Sequence, residues 1–265
     1  MTLLDWASII DAARGIVAGY DTPVTLRQLH YRLVAARLVP NTMHAYQHLS
    51  RLTARGRRDG TFPHLADRGR TIHRAVTFTG PDDARRWLAA IYRRDRTAGQ
   101  DVSLYIAVEK AGLVAQLDAW FGDLGVPILA LSGYASQSYA TEVVRDVSDD
   151  GRPAVLLYAG DHDPSGEDID RDWVERTGCW AKVRRVALDA AQVEEHDLPP
   201  QPGKSTDSRA DAFAARHGRL VQVELDALPP ETLRGLYADA VADFWDEDAH
   251  AAVLAAEDAD RPRLG

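Results

Sequence analysis

The sequence predicts an α/β protein in two parts: a helical, winged-helix-like N-terminal part, then a mostly parallel sheet covered by helices on both faces. Three observations carry this expectation. The first hundred residues place apolar side chains at helical spacing between clear start and stop signals. From about residue 101 short apolar runs alternate with amphipathic stretches, the pattern of repeated βα units. The charge changes sign at the same place. Residues 1–100 hold 16 Arg, no Lys, 8 Asp and no Glu, a balance of +8; the other 165 residues hold 15 basic and 32 acidic residues, a balance of −17. The expected division is therefore 1–98 and 99–265.

Each element has its own signal. "LLDWASIIDAARGIVAG" is amphipathic and stops at Gly19. "VTLRQLHYRLVAARLV" begins at Thr25, a good cap, and must stop before Pro40. "TMHAYQHLSRLTARGRRDG" is a third helix ending in a basic cluster, and "TIHRAVTF" reads as a short strand. Three small helices and a β element outline a winged-helix or helix-turn-helix module, although such packing also occurs without DNA binding. The strands "VSLYIAVE", "VPILALSG", "PAVLLYAGD" and "WAKVRRVAL" then alternate with helices over 110–125, 136–150 and 166–178. In such sheets ligands bind at the carboxyl ends of the strands.

Bulk properties exclude several classes. No run of 18 apolar residues occurs, so no membrane span is expected, and the N-terminus lacks the basic start and small-residue cleavage site of a secretory signal. One cysteine, Cys179, excludes an internal disulfide and points to a reducing, cytoplasmic compartment. The net charge of −9 conceals a basic N-terminal part able to neutralise phosphates; a solvated, Arg-biased surface is the alternative. "GKS" at 203–205 is no P-loop, because Leu198 stands where that motif needs Gly and two prolines precede it instead of an apolar strand. The histidines show no zinc spacing, and "GYASQS" lacks the nucleophile-elbow pattern; its hydroxyls suit the cap of the next helix.

The chemistry concentrates at strand ends. Glu109 closes the first strand, and "GDHDPSG" puts Asp161 and Asp163 just after the third. Like charges that close repel, and burial sharpens the conflict, so a cation is expected there. Carboxylates suit hard ions such as Mg²⁺ or Mn²⁺, which keep waters for substrate phosphates. A D-x-D turn shaped by Pro164 and Gly166 also suits the cap of a following helix.

Glu109 after one strand and D-x-D-P-x-G after another resemble the Toprim domain of topoisomerases, primases and related nucleases. They resemble in particular the topoisomerase VI A subunit and its meiotic double-strand-break relatives. The resemblance runs from about residue 22 to 245. It implies that Glu109, Asp161 and Asp163 bind Mg²⁺ and organise a scissile phosphate. It also implies a nucleophilic tyrosine on the preceding domain, four residues after an Arg. "TLRQLHYRLV" has Arg27 and Tyr31 at that spacing, with His30 where the family often has a first tyrosine. The helix supports this independently. At ~100° per residue from Leu26, the apolar Leu29, Leu33 and Val34 fall near 300°, 340° and 80°, while Arg27 and Tyr31 are neighbours near 100° and 140°. Arg27 can stabilise a phenolate or hold a phosphate; a Tyr half-buried against a neighbouring helix is the plainer reading.

Three functions follow: a Mg²⁺-dependent DNA transesterase using Tyr31, with Glu109 as ligand or acid/base; a hydrolytic Toprim nuclease using metal-activated water; or a non-catalytic DNA-binding protein. Double-stranded DNA would lie on Arg51, Arg55, Arg57 and Arg58. In relatives the Tyr of one protomer meets the Toprim site of the other, implying a homodimer. Strand passage would need a separately encoded ATPase B-like subunit, and the location would be the nucleoid. Lys204, Asp207, Arg209, Glu224 and Asp226 receive no assigned chemistry; for Glu224 and Asp226 a solvated acidic turn is expected over a supporting ligand role.

Overall fold

The computed structural model describes residues 4–66, 74–203 and 206–264. Three helices come first: α1 (Trp6–Ala18), α2 (Leu26–Ala35) and α3 (Met43–Arg58). Asp5, Thr25 and Thr42 cap their N-termini through side-chain oxygens, and Thr25 and Gln28 form a reciprocal capping box. Their inward faces close a separate core containing Ile9, Ala13, Leu29, Leu33, Leu49 and Phe62. Helix α2 ends five residues before Pro40, because Arg37 adopts a left-handed conformation (φ 58°) and the Leu38 N–H turns back to the Leu33 carbonyl.

The expected strand over 71–78 is not formed: residues 74–78 carry no regular structure, and 71–73 lie outside the described residues. Helix α4 (Pro81–Ile91) follows instead. Its signal was present, with Pro at its first position and Asp82 and Asp83 in its first turn.

The second part is a four-stranded, all-parallel sheet. It is built from β1 (Ser103–Val108), α5 (Val114–Phe121), β2 (Ile128–Ala130), α6 (Gln137–Asp150), β3 (Ala154–Ala159), α7 (Pro164–Thr177) and β4 (Lys182–Ala187). Strands β1 and β3 are buried along their whole length, which is why they read as continuous apolar runs. Side-chain alternation splits β1 between two cores. Leu104, Ile106 and Val108 pack on one face with Leu113 and Leu117; Tyr105 and Ala107 pack on the other with Val143 of α6 and Trp173 of α7. Ser136 caps α6 through the Tyr139 N–H, as its hydroxyl suggested.

The remaining chain was illegible in detail. It forms α8 (Ala190–Glu195), β5 (Gln201–Pro202), α9 (Ala210–His217), β6 (Val221–Gln222), α10 (Pro230–Ala242) and α11 (Glu247–Asp260). Helix α10 completes one face of the sheet with Leu233 and Tyr237, whose hydroxyl donates to the Ala107 carbonyl of β1 at 2.8 Å. Residues 92–100 are tied to the C-terminal end: Arg94 and Arg96 pair with Asp260 and Glu257, and Gln100 bonds the Asp246 backbone. Among the described residues no helix is long and apolar enough to cross a membrane.

The strand order is β2-β1-β3-β4. From β1 the chain first builds outwards on one side, then crosses to the other. The switch therefore lies between β1 and β3, and the crevice beyond their carboxyl ends is where such sheets bind ligands. Glu109 and Asp161 leave the sheet there.

Candidate active site

The cleft at this switch encloses about 340 Å³ and is lined by Arg27, Gln28, Glu109, Lys110, Asp161 and Asp226, among others. Its floor is the pair of strand ends. One carboxylate oxygen of Glu109 accepts the Asp161 N–H at 2.9 Å, fastening β1 to the loop after β3. Asp161, 5% exposed, accepts the Leu225 N–H at 2.8 Å and meets the Lys110 ammonium, also at 2.8 Å. Asp163 takes a different part: it caps α7, accepting the Gly166 N–H at 2.7 Å, with Pro164 at the first helical position. The helix-capping reading of D-x-D thus holds for Asp163. Gly166 is required by close approach, since a Cβ there would lie 2.2 Å from the Asp161 carbonyl oxygen. That carbonyl also accepts from Arg185 at 2.7 Å.

The cation that the sequence demanded is, within the chain itself, Lys110. Its ammonium pairs with Asp161 and Glu224 and lies 3.9 Å from Asp226. Glu224 and Asp226 are not a solvated turn. They are 8% and 7% exposed, because the segment after β6 runs across the cleft and His162 pairs with Val223 in an isolated antiparallel bridge. Neither Lys110 nor this return was visible in the sequence: a lone Lys beside Glu109 has no pattern, and Glu224 lies 115 positions downstream.

Tyr31 reaches the same place from α2. Its hydroxyl donates to one Glu224 oxygen at 3.0 Å; Arg27 donates to the other at 3.3 Å and lies 3.5 Å from the Tyr31 hydroxyl. Arg27 and Lys110 both sit over the Tyr31 ring, at 5.3 and 5.5 Å from its centre. The expected Arg27–Tyr31 neighbourhood is therefore present, and Tyr31 is half-buried beside the cleft, lining two neighbouring cavities rather than filling a core. One chain brings Tyr31 to its own carboxylates, so a second copy is not needed to assemble this cluster.

The electrostatics follow from crowding. Burial raises Glu109, with Asp163 and Glu224 adding to the effect against the Asp161 N–H and Lys110. Burial also raises Asp161 well above the usual carboxylate range despite Lys110. For Glu224 burial acts upward too, but Lys110, Arg27 and the Tyr31 hydroxyl outweigh it and hold the group at about 2. Tyr31 is pushed up to about 12, first by burial and then by Glu224; Arg27 and Lys110 act downward and lose. The phenolate is thus disfavoured in this state, against the expectation that Arg27 would stabilise it.

The donor set of Glu109, Asp161 and Asp163 fits a hard divalent cation, being all carboxylate oxygen and short of positive charge. Their oxygens are not gathered to the spacing of a shared ion, and Lys110 competes for Asp161. Arg51, Arg55, Arg57 and Arg58 lie on α3, away from the cleft lining. Arg51 and Arg55 are exposed; Arg55 pairs with Asp59 at 3.6 Å and Arg57 bonds the Thr53 carbonyl. Arg209 holds Asp207 and reaches Asp168 and the Tyr134 hydroxyl, outside the cleft lining; Lys204 lies outside the described residues. No protein-family model matches the chain, and neither does any curated protein sequence.

Proposed function

We propose that this protein cleaves DNA, with Tyr31 as nucleophile and the Glu109–Asp161–Asp163 carboxylates serving a divalent cation. One observation carries the reading: beside the cleft at the switch point of a parallel sheet, Glu224 accepts the Tyr31 hydroxyl and pairs with Arg27 and Lys110, and Lys110 joins it to Asp161 at a strand end. Glu224 is the base within reach of the Tyr31 proton. As held, the transfer is steeply uphill. Tyr31 is pushed up to about 12 while Glu224 is held at about 2, so the proton stays on the phenol. Arg27 and Lys110 must therefore leave Glu224, and a phosphate is the partner both cations suit. Glu224 then rises towards an ordinary carboxylate and becomes a competent base for the Tyr31 proton. The phenolic oxygen forms a bond to phosphorus as the sugar oxygen departs and takes up a proton. A bound divalent cation would neutralise charge on the phosphate. Cutting both strands takes two Tyr31 residues, hence two copies of the chain.

The water-based reading has its own support in the raised Tyr31, which favours a phenol that stays protonated. Supercoiled plasmid incubated with Mg²⁺ and separated under denaturing conditions, with and without protease, tells the two apart. Protein-linked breaks that vanish in Tyr31→Phe are expected. Free breaks made equally by Tyr31→Phe would replace the transesterase by a hydrolytic nuclease, and no breaks by the wild type would remove both.

A further inference from the structure

The middle residue of Asp161-His162-Asp163 belongs to a different site. Successive side chains of extended chain point to opposite sides, so His162 turns away from the cleft, towards α7 and α9. There it meets Glu167 and His217. His162 Nδ1 lies 3.7 Å from Glu167 Oε1, His217 Nε2 lies 2.7 Å from the same oxygen, and the ligand atoms of all three lie within 4.8 Å of one another. His162 is 2% exposed, yet its Nδ1 has no hydrogen-bond partner. The same holds for His217 Nε2: its close approach to Glu167 lacks the alignment of a hydrogen bond. Two imidazole nitrogens buried without partners, converging on a carboxylate, are costly unless something between them accepts their lone pairs.

We propose that His162, Glu167 and His217 form a binding site for a borderline transition-metal ion, Zn²⁺ foremost. Two imidazoles and a carboxylate suit zinc, with a fourth position for water. Ideal tetrahedral ligand atoms stand about 3.4 Å apart at the usual bond lengths, so 3.7 and 2.7 Å bracket the need with small side-chain shifts. Arg216 lies 3.0 Å from the other Glu167 oxygen, Oε2, and balances the carboxylate's charge without an aligned hydrogen bond. Phe213, fully buried, packs on both rings at 5.1 and 4.4 Å and walls off the inner side. The ion would bolt α9 to the loop carrying Asp161 and Asp163 and fix the cleft floor from behind. The site is independent of the proposed DNA chemistry.

The test uses the full chain stripped with a chelator. Zn²⁺ is titrated in competition with a chromogenic chelator, and Co²⁺ serves as the spectroscopic probe. One equivalent of Zn²⁺ should bind, Co²⁺ should give visible absorption of a low-coordinate nitrogen–oxygen site, and excess Mg²⁺ should displace neither. His217→Ala should weaken Zn²⁺ at least about 100-fold and abolish the cobalt bands, whereas Asp163→Asn should leave both intact. Should His217→Ala fail to melt cooperatively, the near-isosteric Glu167→Gln decides, with the same loss expected. Wild-type Zn²⁺ affinity in the folded variant, or no cobalt absorption in the wild type, would overturn the site and leave a plain His217–Glu167 ion pair.

Discussion

Glu224→Gln tests the central electrostatic argument. Gln can still accept from the Tyr31 hydroxyl, so the contact survives and the charge goes. Between a phenolate and a carboxylate 3.0 Å apart the repulsion is about 1.4 kcal/mol even at the dielectric constant of water, and greater in a half-buried cleft. That is about one pKa unit as a minimum. Arg27 and Lys110 remain beside the ring and act downward with burial as the main opposition. Tyr31 should therefore fall from about 12 by at least one unit. The absorbance titration of tyrosinate reads this directly once the curve of the Tyr31→Phe protein is subtracted in each background. A stability curve gives a second reading. Because Tyr31 is raised in the fold, its contribution is complete below its ordinary value near 10 and is lost as pH rises through about 12. In Glu224→Gln that loss should start at the same pH, end sooner and be smaller. A Tyr31 that still titrates near 12 without the Glu224 charge would refute the reasoning and assign the whole shift to burial.

Lys110→Met removes the cation shared by Asp161 and Glu224; it should cost about 3 kcal/mol at neutral pH in denaturant unfolding, as breaking buried pairs does. Without the ammonium these carboxyls rise in the folded state, so the deficit should shrink as pH falls; a constant deficit would show that Lys110 acts by packing alone. Reversing Arg51 and Arg55 to Glu should weaken duplex binding and flatten the slope of log K against log salt by about 2; an unchanged slope would mean that this face of α3 points to solvent only.

Local pattern made the sheet legible. β1 and β3 are buried on both faces and so read as unbroken apolar runs, and their ends identify Glu109 and Asp161 without any knowledge of pairing. Thr25, Ser136 and Gly19 announced helix boundaries because capping is a matter of a few adjacent residues. What escaped depends on return of the chain. Glu224 reads as a polar turn until β6 carries it under α2. His162 reads as a spacer between two acids until α9 sets His217 against it. Asp163 looked like the equal of Asp161, yet its first commitment is to the Gly166 N–H of its own helix.

Charge gives the proposed divalent cation a second argument. In and beside the cleft, the carboxyls of Glu109, Asp161, Asp163, Glu224 and Asp226 stand against Arg27 and Lys110, a formal −3 when all are ionised, the state that burial opposes for Glu109 and Asp161; Arg185 behind it is matched by Asp170. A phosphodiester entering about 5 Å from that charge meets opposition on the order of 10 kcal/mol at an effective dielectric constant near 20. Arg27 and Lys110 alone cannot provide the attraction, since both are already engaged with Glu224. A divalent ion at Asp161 and Asp163 would remove two units of negative charge and release Lys110 from Asp161. Metal and DNA should therefore bind with positive coupling. In the Tyr31→Phe background, duplex affinity at constant ionic strength should rise at least about tenfold when Mg²⁺ replaces EDTA, a modest coupling of 1.4 kcal/mol. The same change of buffer should do nothing when Asp161→Ala and Asp163→Ala are added, and those substitutions should also remove a Mn²⁺ site from calorimetric titration. Equal DNA affinity with and without Mg²⁺ in the intact cleft would mean that the phosphate sits elsewhere, on the Arg-rich face of α3, and that the carboxylates serve the fold.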